Sequence, residues 1–153
     1  MISYRPATAA DVPALRRLLQ ALSDHDGGPE VVSEAMLRQA GFGAHPLYRA
    51  ILAEDEAGTL GMVLYFPEFS TYRGQAGLYV QDIYVTRAAR GSGVGTGLLA
   101  AAMRQQDWGA AYLTLGVDPA NDTARAYYAN RGFRTRGYEF LILDGTALEA
   151  LCT

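Results

Sequence analysis

The sequence contains no lysine, so arginine supplies all of its positive side-chain charge. The phosphate loop of P-loop nucleotide-binding proteins needs a lysine to reach the terminal phosphates, which excludes that kind of site. The net charge of -3 also argues against a general nucleic-acid-binding protein, which would carry a basic face. We therefore expect no nucleic acid among its partners.

Cysteine and histidine are scarce as well. A single cysteine, Cys152, excludes a disulfide or a cysteine metal cluster within one chain. The two histidines, His25 and His45, lie far apart without matching ligands, so no metal site is expected. The longest strongly apolar run, residues 60–66, is too short to cross a bilayer, and no signal-peptide-like segment opens the chain. These absences predict a cytoplasmic protein without a membrane partner.

The chain has 153 residues, half of them hydrophobic, which suits one domain spanning residues 1–153. Apolar periodicity separates helical from extended segments. Strands are predicted over residues 2–5, 47–54, 59–66, 76–85, 110–117 and 138–143. Helices are predicted from a cap at Thr8 through Leu22, and over residues 33–40, 94–107 and 121–131, with a polar loop at 23–30. The order indicates a mixed α/β domain whose sheet is flanked by about four helices.

A glycine-dense loop lies within "YVTRAARGSGVGTGLLAAAM", residues 84–103, between a predicted strand and a predicted helix. Glycine occupies every second position from Gly91 to Gly97. Bare amides at the start of a helix form an anion site, because no Cβ atom obstructs a phosphate. A flexible linker is a weaker alternative, since apolar segments flank the loop closely.

A dinucleotide-binding turn is a second alternative, because residues 95–100 match its GxGxxA form. That turn should follow a strand directly and have an acidic residue some 20 positions later. Here "TRAAR" intervenes and position 117 is a valine, although Asp118 is adjacent.

Two segments resemble signatures of the Gcn5-related N-acetyltransferase (GNAT) superfamily. "VTRAARGSGVG" (85–95) matches R-x-x-G-x-G through Arg90, Gly93 and Gly95, and "NDTARAYYANRGF" (121–133) matches the second signature. "YRPATAADVPAL", "GFGAHPLYRAILAE" (41–54) and "LYVQDIYV" (78–85) resemble the diamine and polyamine (or thialysine) acetyltransferase branch. The resemblance runs essentially end to end.

The resemblance implies a GNAT fold, in which a mixed central sheet contains a splayed strand pair, and acetyl-CoA as co-substrate without a metal. It also implies a set of cofactor-binding residues on the strand, the loop and the later helix. These are Ile83, Tyr84, Val85, Arg90, Gly91, Ser92, Gly93, Val94, Gly95, Thr96, Asn121, Ala124 and Tyr128. The loop would hold the pyrophosphate, and the strand amides would polarise the thioester carbonyl.

The resemblance further implies direct attack by the amine in a ternary complex. Tyr128 matches the tyrosine that protonates the departing thiolate; the alternative for this residue is a core aromatic. Asp82 would attract the protonated amine and take its proton. The branch usually has a Glu-Asp pair where this chain has Gln81-Asp82.

Four residues are predicted from the resemblance to bind the acceptor: Asp24, Asp26, Gln81 and Asp82. For Asp24 and Asp26, in the predicted acidic loop, the alternative is a solvated polar loop. Arg73 would suit an acceptor that bears a carboxylate. The sequence therefore predicts transfer to a small primary amine, either a diamine, a polyamine or an amino-acid-like amine. Alternatives are a peptide or aminoglycoside amine, and a non-catalytic acetyl-CoA-binding module. A homodimer is expected from the branch, with the apolar tail from residue 140 onward contributing to it.

Overall fold

The computed structural model describes all residues from 1 to 153. They form two compact units, Met1–Gly116 and Val117–Thr153. The first unit contains all the strands: β1 Ser3–Pro6, β2 Arg49–Asp55, β3 Gly58–Ser70, β4 Gln75–Val85 and β5 Leu113–Leu115. Its helices are α1 Val12–Asp26, α2 Glu34–Phe42 and α3 Val94–Gln105, with short 3₁₀ turns at Ala9–Asp11 and Arg87–Ala89. The second unit contains α4 Asp122–Ala129 and α5 Gly145–Leu151.

The five strands form one sheet in the order β1-β2-β3-β4-β5. The first four pair antiparallel, as a chain of neighbouring strands can, whereas β4 and β5 pair parallel and α3 makes the crossover between them. The parallel pairing extends only from Leu78↔Leu113 to Val80↔Leu115. Residues 81–85 of β4 therefore have no β5 partner. The predicted mixed sheet with a splayed strand pair is confirmed.

Helices cover both faces of this sheet. Leu52, Met62 and Leu64 project to one face, where they pack with buried residues of α1 and with Leu37 of α2. Because side chains alternate along a strand, their neighbours point to the other face. There Gly61 lies against Leu98 of α3. The α1/α2 face and the α3 face are thus distinct.

Three sequence predictions about secondary structure are wrong in detail. Residues 138–143 form no strand, because no neighbouring strand pairs with this β-prone run, and α5 was not predicted. The first helix extends to Asp26, so Asp24 and Asp26 lie on its last turn and not in a loop. Gly27 ends that helix in the left-handed conformation. The polar and acidic residues before Gly27 break the apolar periodicity, so the sequence pattern does not reveal the last turn of the helix. The predicted strand over 110–117 shrinks to β5.

A charged network joins the start of the chain to β2. The Arg5 guanidinium donates to Glu54 Oε2 at 2.7 Å and to Asp11 Oδ2 at 2.8 Å. Asp11 Oδ2 also accepts from the Thr8 amide at 2.7 Å. The hydrogen bond from Arg5 holds the pKa of Asp11 well below its usual range. The network therefore fixes β1 and the turn before α1 against β2.

We expect Arg5→Met to lower the free energy of unfolding by about 1–2 kcal/mol at pH 7, a modest value because Arg5 is partly exposed. Since folding lowers the pKa of Asp11, the stabilisation is fully present above the unfolded pKa of about 3.9, and it is lost as pH falls from there through the much lower folded pKa. Urea unfolding at pH 7 and pH 3 should show the difference between the two proteins narrowing at the lower pH without vanishing. Arg125→Met, at an exposed pair, is the control. Parallel pH curves for Arg5→Met and the parent would contradict this assignment.

Candidate active site

The glycine loop leaves β4 and turns sharply before α3. Gly91 and Gly93 have φ values of 80° and 85°, in the left-handed region that favours glycine. The Ser92 hydroxyl donates to Ala89 O at 2.6 Å and closes the turn onto the preceding 3₁₀ segment. The loop residues Gly91, Ser92 and Gly93 are exposed.

Unpaired amides line this loop and the first turn of α3. The first backbone hydrogen bond of the helix runs from Gly97 N to Gly93 O, at 2.9 Å. The amides of residues 91–95 donate to no backbone acceptor, and Gly93 at the cap position brings no side chain. Such donors, with the partial positive charge of a helix N-terminus, suit an anion. The donor set fits a diphosphate.

Gly97 has a different reason for being glycine. It lies under the ring and hydroxyl of Tyr4 on β1, and a Cβ atom there would overlap them. Gln105, at the other end of α3, donates to Tyr4 O at 3.3 Å. The alternating glycines therefore combine an exposed loop with a packing contact between α3 and β1.

The Arg90 side chain folds back toward β4. Its Nε donates to Val85 O at 3.2 Å, and its guanidinium lies 5.6 Å from the centre of the Tyr84 ring. The side chain thus ties the loop to the end of the strand. The Arg90 amide also donates to Arg87 O, at 3.4 Å. The predicted contact between Arg90 and phosphate therefore stays a prediction, with both the side chain and the amide paired within the protein.

The amides at the end of β4 alternate in direction. Thr86 N donates to Leu60 O on the β3 side, at 2.8 Å. In an antiparallel ladder, the amides of Ile83 and Val85 therefore point away from β3, while that of Tyr84 points toward it. Because β5 pairing ends at Val80, Ile83 and Val85 offer amides to a ligand. Tyr84 offers only its side chain.

A β-bulge places Gln81 and Asp82 on one face. Leu64 pairs with Asp82 and Tyr65 with Val80, so Gln81 is an extra residue in β4. Two neighbouring residues then lie opposite one and project to the same side, here the α1/α2 face. Gln81 is exposed, whereas Asp82 is partly buried without a hydrogen-bond partner. Burial raises the pKa of the Asp82 carboxyl.

The structure separates the two predicted acidic residues of α1. Asp26 follows Leu22 by one turn, on the apolar side of the helix that packs onto the α1/α2 face. Asp24 lies on the opposite side, where it lines an open groove together with Arg17 and Glu34, and its Oδ1 accepts from Gln20 Nε2 at 2.8 Å. Only Asp26 shares the side of α1 that faces the sheet carrying Asp82.

Arg73 lies at the tip of the β3–β4 hairpin, 5.3 Å from the centre of the Tyr112 ring. Asp82 is seven residues beyond the start of β4, or about 23 Å along a strand. This is several times the length of a lysine side chain. Arg73 is therefore not placed to bind the carboxylate of an acceptor whose amine lies at Asp82.

The second unit contains the remaining predicted site residues. Asn121 caps α4, its Oδ1 accepting from Ala124 N at 3.0 Å. Ala124 and Tyr128 lie one turn apart on the same face of the helix. The Tyr128 ring packs against Phe133 with 5.2 Å between ring centres, and burial raises the pKa of its hydroxyl. Tyr128 is therefore protonated at neutral pH and can donate a proton.

Residues 13–133 match the sequence profile of the Acetyltransferase (GNAT) family. The chain belongs to the GNAT acetyltransferases. It is 29% identical over 165 residues to a thialysine N-epsilon-acetyltransferase of Bos taurus, covering 98% of this chain and 96% of that protein. It is 32% identical over 105 residues to a spermidine/spermine N(1)-acetyltransferase-like protein of Homo sapiens, covering 62% of this chain and 15% of that protein.

Solved structures share this GNAT fold at low sequence identity. An integron cassette protein from V. cholerae has a TM-score of 0.80 and 22% identity, covering 99% of this chain and 97% of that one. An aminoglycoside acetyltransferase from a soil metagenomic sample has a TM-score of 0.77 and 13% identity, covering 94% and 97%. The predicted family and the assignment as an N-acetyltransferase are confirmed.

The structure shows neither a cluster of metal ligands nor a membrane-spanning helix. No cluster of three or more His, Cys, Asp or Glu residues is arranged to hold a metal ion. None of the five helices has both the length and the apolar character needed to cross a membrane. The β4 bulge, which the sequence did not predict, has no residue signal of its own, since Gln81 is an ordinary strand-tolerated side chain.

Proposed function

We propose that this protein transfers an acetyl group from acetyl-CoA to the primary amine of a small molecule, by direct attack in a ternary complex. The observation that carries the proposal is the set of amides at residues 91–95, beside a strand end whose Ile83 and Val85 amides are also unpaired by the sheet. GNAT acetyltransferases use acetyl-CoA. The loop amides suit its diphosphate, and the strand amides suit the polar groups nearer its thioester.

The loop and strand divide the binding of the co-substrate. The loop amides from Gly91 to Gly95, with Thr96, hold the diphosphate, and each charge-assisted hydrogen bond contributes about 1.5–3 kcal/mol. Acetyl-CoA supplies the activated acetyl group. The amides of Ile83 and Val85 stabilise negative charge on the thioester oxygen. Asn121 and Ala124 bind the pantetheine side.

Asp82 acts on the acceptor. A lysine-like amine has a pKa of about 10.4 and arrives protonated, so it must lose a proton before it can attack. The partly buried carboxylate attracts the ammonium group and accepts its proton, directly or through water. The raised pKa of Asp82 makes it a stronger base than an exposed aspartate. Gln81 lies beside it and binds the acceptor by hydrogen bonds.

The acceptor is a diamine, a polyamine or an amino-acid-like amine. The names of the relatives, thialysine N-epsilon-acetyltransferase and spermidine/spermine acetyltransferase-like protein, support this class. Gln81 stands where the diamine and polyamine acetyltransferase branch usually has the glutamate of a Glu-Asp pair. The site therefore has one carboxylate fewer, which favours acceptors with fewer positive charges. Since Arg73 lies at the hairpin tip, a carboxylate on the acceptor would need another partner.

We also propose a cytoplasmic homodimer. The single cysteine, Cys152, suits a reducing compartment. Apolar side chains at residues 140–143 support self-association, because Leu141 and Ile142 are 92% and 86% exposed.

Incubation with acetyl-CoA and a panel of amines tests the activity. We expect CoA thiol release that depends on an added diamine, polyamine or lysine analogue, with a product heavier by one acetyl group. Aminoglycosides and a lysine-containing peptide belong in the panel. Transfer only to these would overturn the acceptor class, and binding of acetyl-CoA without turnover on any amine would overturn the activity.

We expect Tyr128→Phe to lower kcat by about 10²–10⁴-fold, the usual contribution of a general acid. Because burial raises the pKa of Tyr128, the parent should keep this proton donor throughout the pH range in which an ordinary tyrosine stays protonated. Steady-state rates from pH 6 to pH 10.5 check both points. Tyr127→Phe, whose ring lies under the Arg131 guanidinium, is the matched control and should retain the parental rate at neutral pH. Equal rates for Tyr128→Phe and the parent at every pH would show that another group supplies the proton.

The two acidic residues of α1 provide a matched pair for the acceptor side. We expect Asp26→Asn to raise the acceptor KM by about 3–10-fold, the loss of roughly 1 kcal/mol of attraction at a partly screened distance. Asp24→Asn should leave it unchanged, because Asp24 faces away from the sheet. The KM for acetyl-CoA serves as the internal reference. The same effect from both substitutions would mean that general surface charge, and not a site at Asp26, attracts the amine.

A further inference from the structure

A buried tyrosine holds the end of α2. Tyr48, just before β2, is 8% exposed, and its hydroxyl donates to Leu37 O within α2 at 2.7 Å. The ring belongs to the same buried cluster as Leu37 and Leu64. This hydrogen bond links the helix to the segment that leads into the strand, so it sets where α2 lies on the sheet.

The last turn of α2 is shaped to receive this ring. Gly41 lies directly against the Tyr48 ring, and a Cβ atom there would overlap it. Phe42 meets the same ring edge-on, with 6.2 Å between centres and planes at 82°. Leu47 N donates to Ala40 O at 2.7 Å and draws the following segment against the helix end. The last turn of α2 is thus held by the Tyr48 ring and by the hydrogen bond from Leu47.

The last turn of α2 and Asp82 lie on the same face of the sheet. Phe42 packs against the cluster on the α1/α2 face, as does Tyr84 of β4. Leu64 of that cluster is the cross-strand partner of Asp82. Ala50, two residues after Tyr48, pairs with Leu64, so Ala50, Leu64 and Asp82 follow one another across β2, β3 and β4. We expect a shift of Phe42 to disturb the shared cluster and, through Leu64, the surroundings of the Asp82 carboxylate. The glycine loop follows the end of β4 and should not be affected.

We propose that Tyr48 is a positioning residue for the amine acceptor, acting through Leu37, Gly41 and Phe42 to fix the wall of the acceptor site beside Asp82. This inference rests on the proposed function, in which Asp82 receives the amine. Tyr48 itself touches no substrate. Its effect should therefore be on acceptor binding and not on acetyl-CoA binding.

The test compares Tyr48→Phe with the parent and with Tyr72→Phe, the same chemical change at a fully exposed tyrosine. The acceptor is the best amine from the panel. We expect Tyr48→Phe to raise the acceptor KM by about 3–10-fold, with kcat and the KM for acetyl-CoA retained. Gly41→Ala, which displaces the ring, should raise it further. Tyr72→Phe should behave like the parent.

The two KM values distinguish a positioning role from a purely structural one. A lowered melting temperature with an unchanged acceptor KM for Tyr48→Phe would overturn the inference and leave only a structural role. An equal rise in both KM values would overturn it too, since the damage would not be confined to the acceptor side. If Gly41→Ala fails to fold, the comparison of Tyr48→Phe with Tyr72→Phe is sufficient. A parent that acetylates no amine identifies failure of the proposed function, because the variants then have no acceptor KM to compare.

Discussion

The candidate site depends on unequal pairing along the two edges of β4. On one edge, β3 pairs with β4 as far as Val85. On the other edge, β5 stops opposite Val80. Because one edge of β4 is hydrogen-bonded to β3, the amides on its open edge are fixed in position and have no carbonyl partner within the sheet. The same strand leads through residues 86–90 into the glycine loop, so both sets of unpaired amides lie within one short stretch of chain, residues 83–95.

The bulge at Gln81 determines what that open edge carries. Before it, the amides of Leu78 and Val80 face β5, as the hydrogen bond from Leu78 N to Tyr112 O shows. The extra residue shifts the alternation by one, so that Ile83 and Val85 also face outward and Asp82 projects to the α1/α2 face. A regular strand would turn the amide of Tyr84 outward instead. One inserted residue thus sets both the amide pattern and the position of the carboxylate.

Much of this was predictable from sequence because the signals are local. Apolar alternation located β2, β3 and β4, and the glycine spacing located the loop and the start of α3. The bulge was not predictable, because it arises from pairing between strands. Residues 138–143 fail for the same reason, since their apolar content predicts a strand but no neighbouring strand pairs with them. Asp24 and Asp26 point to opposite sides because α1 extends to Asp26, and the sequence pattern did not predict that extension. The roles of Asn121 and Tyr128 came from the resemblance, since a helix cap and a packed aromatic explain those residues equally well.

The seating of α3 on β1 has a consequence for how the protein is made. Tyr4 and Gln105 touch across a separation of 101 residues, and Tyr4 also covers Gly97 near the start of the helix. At about 5–20 residues per second, the ribosome takes roughly 5–20 s to produce the helix after the first strand has emerged. During that time β1 has no α3 to receive it. The glycine loop before α3 therefore acquires its support from β1 late, when the two ends of this unit meet.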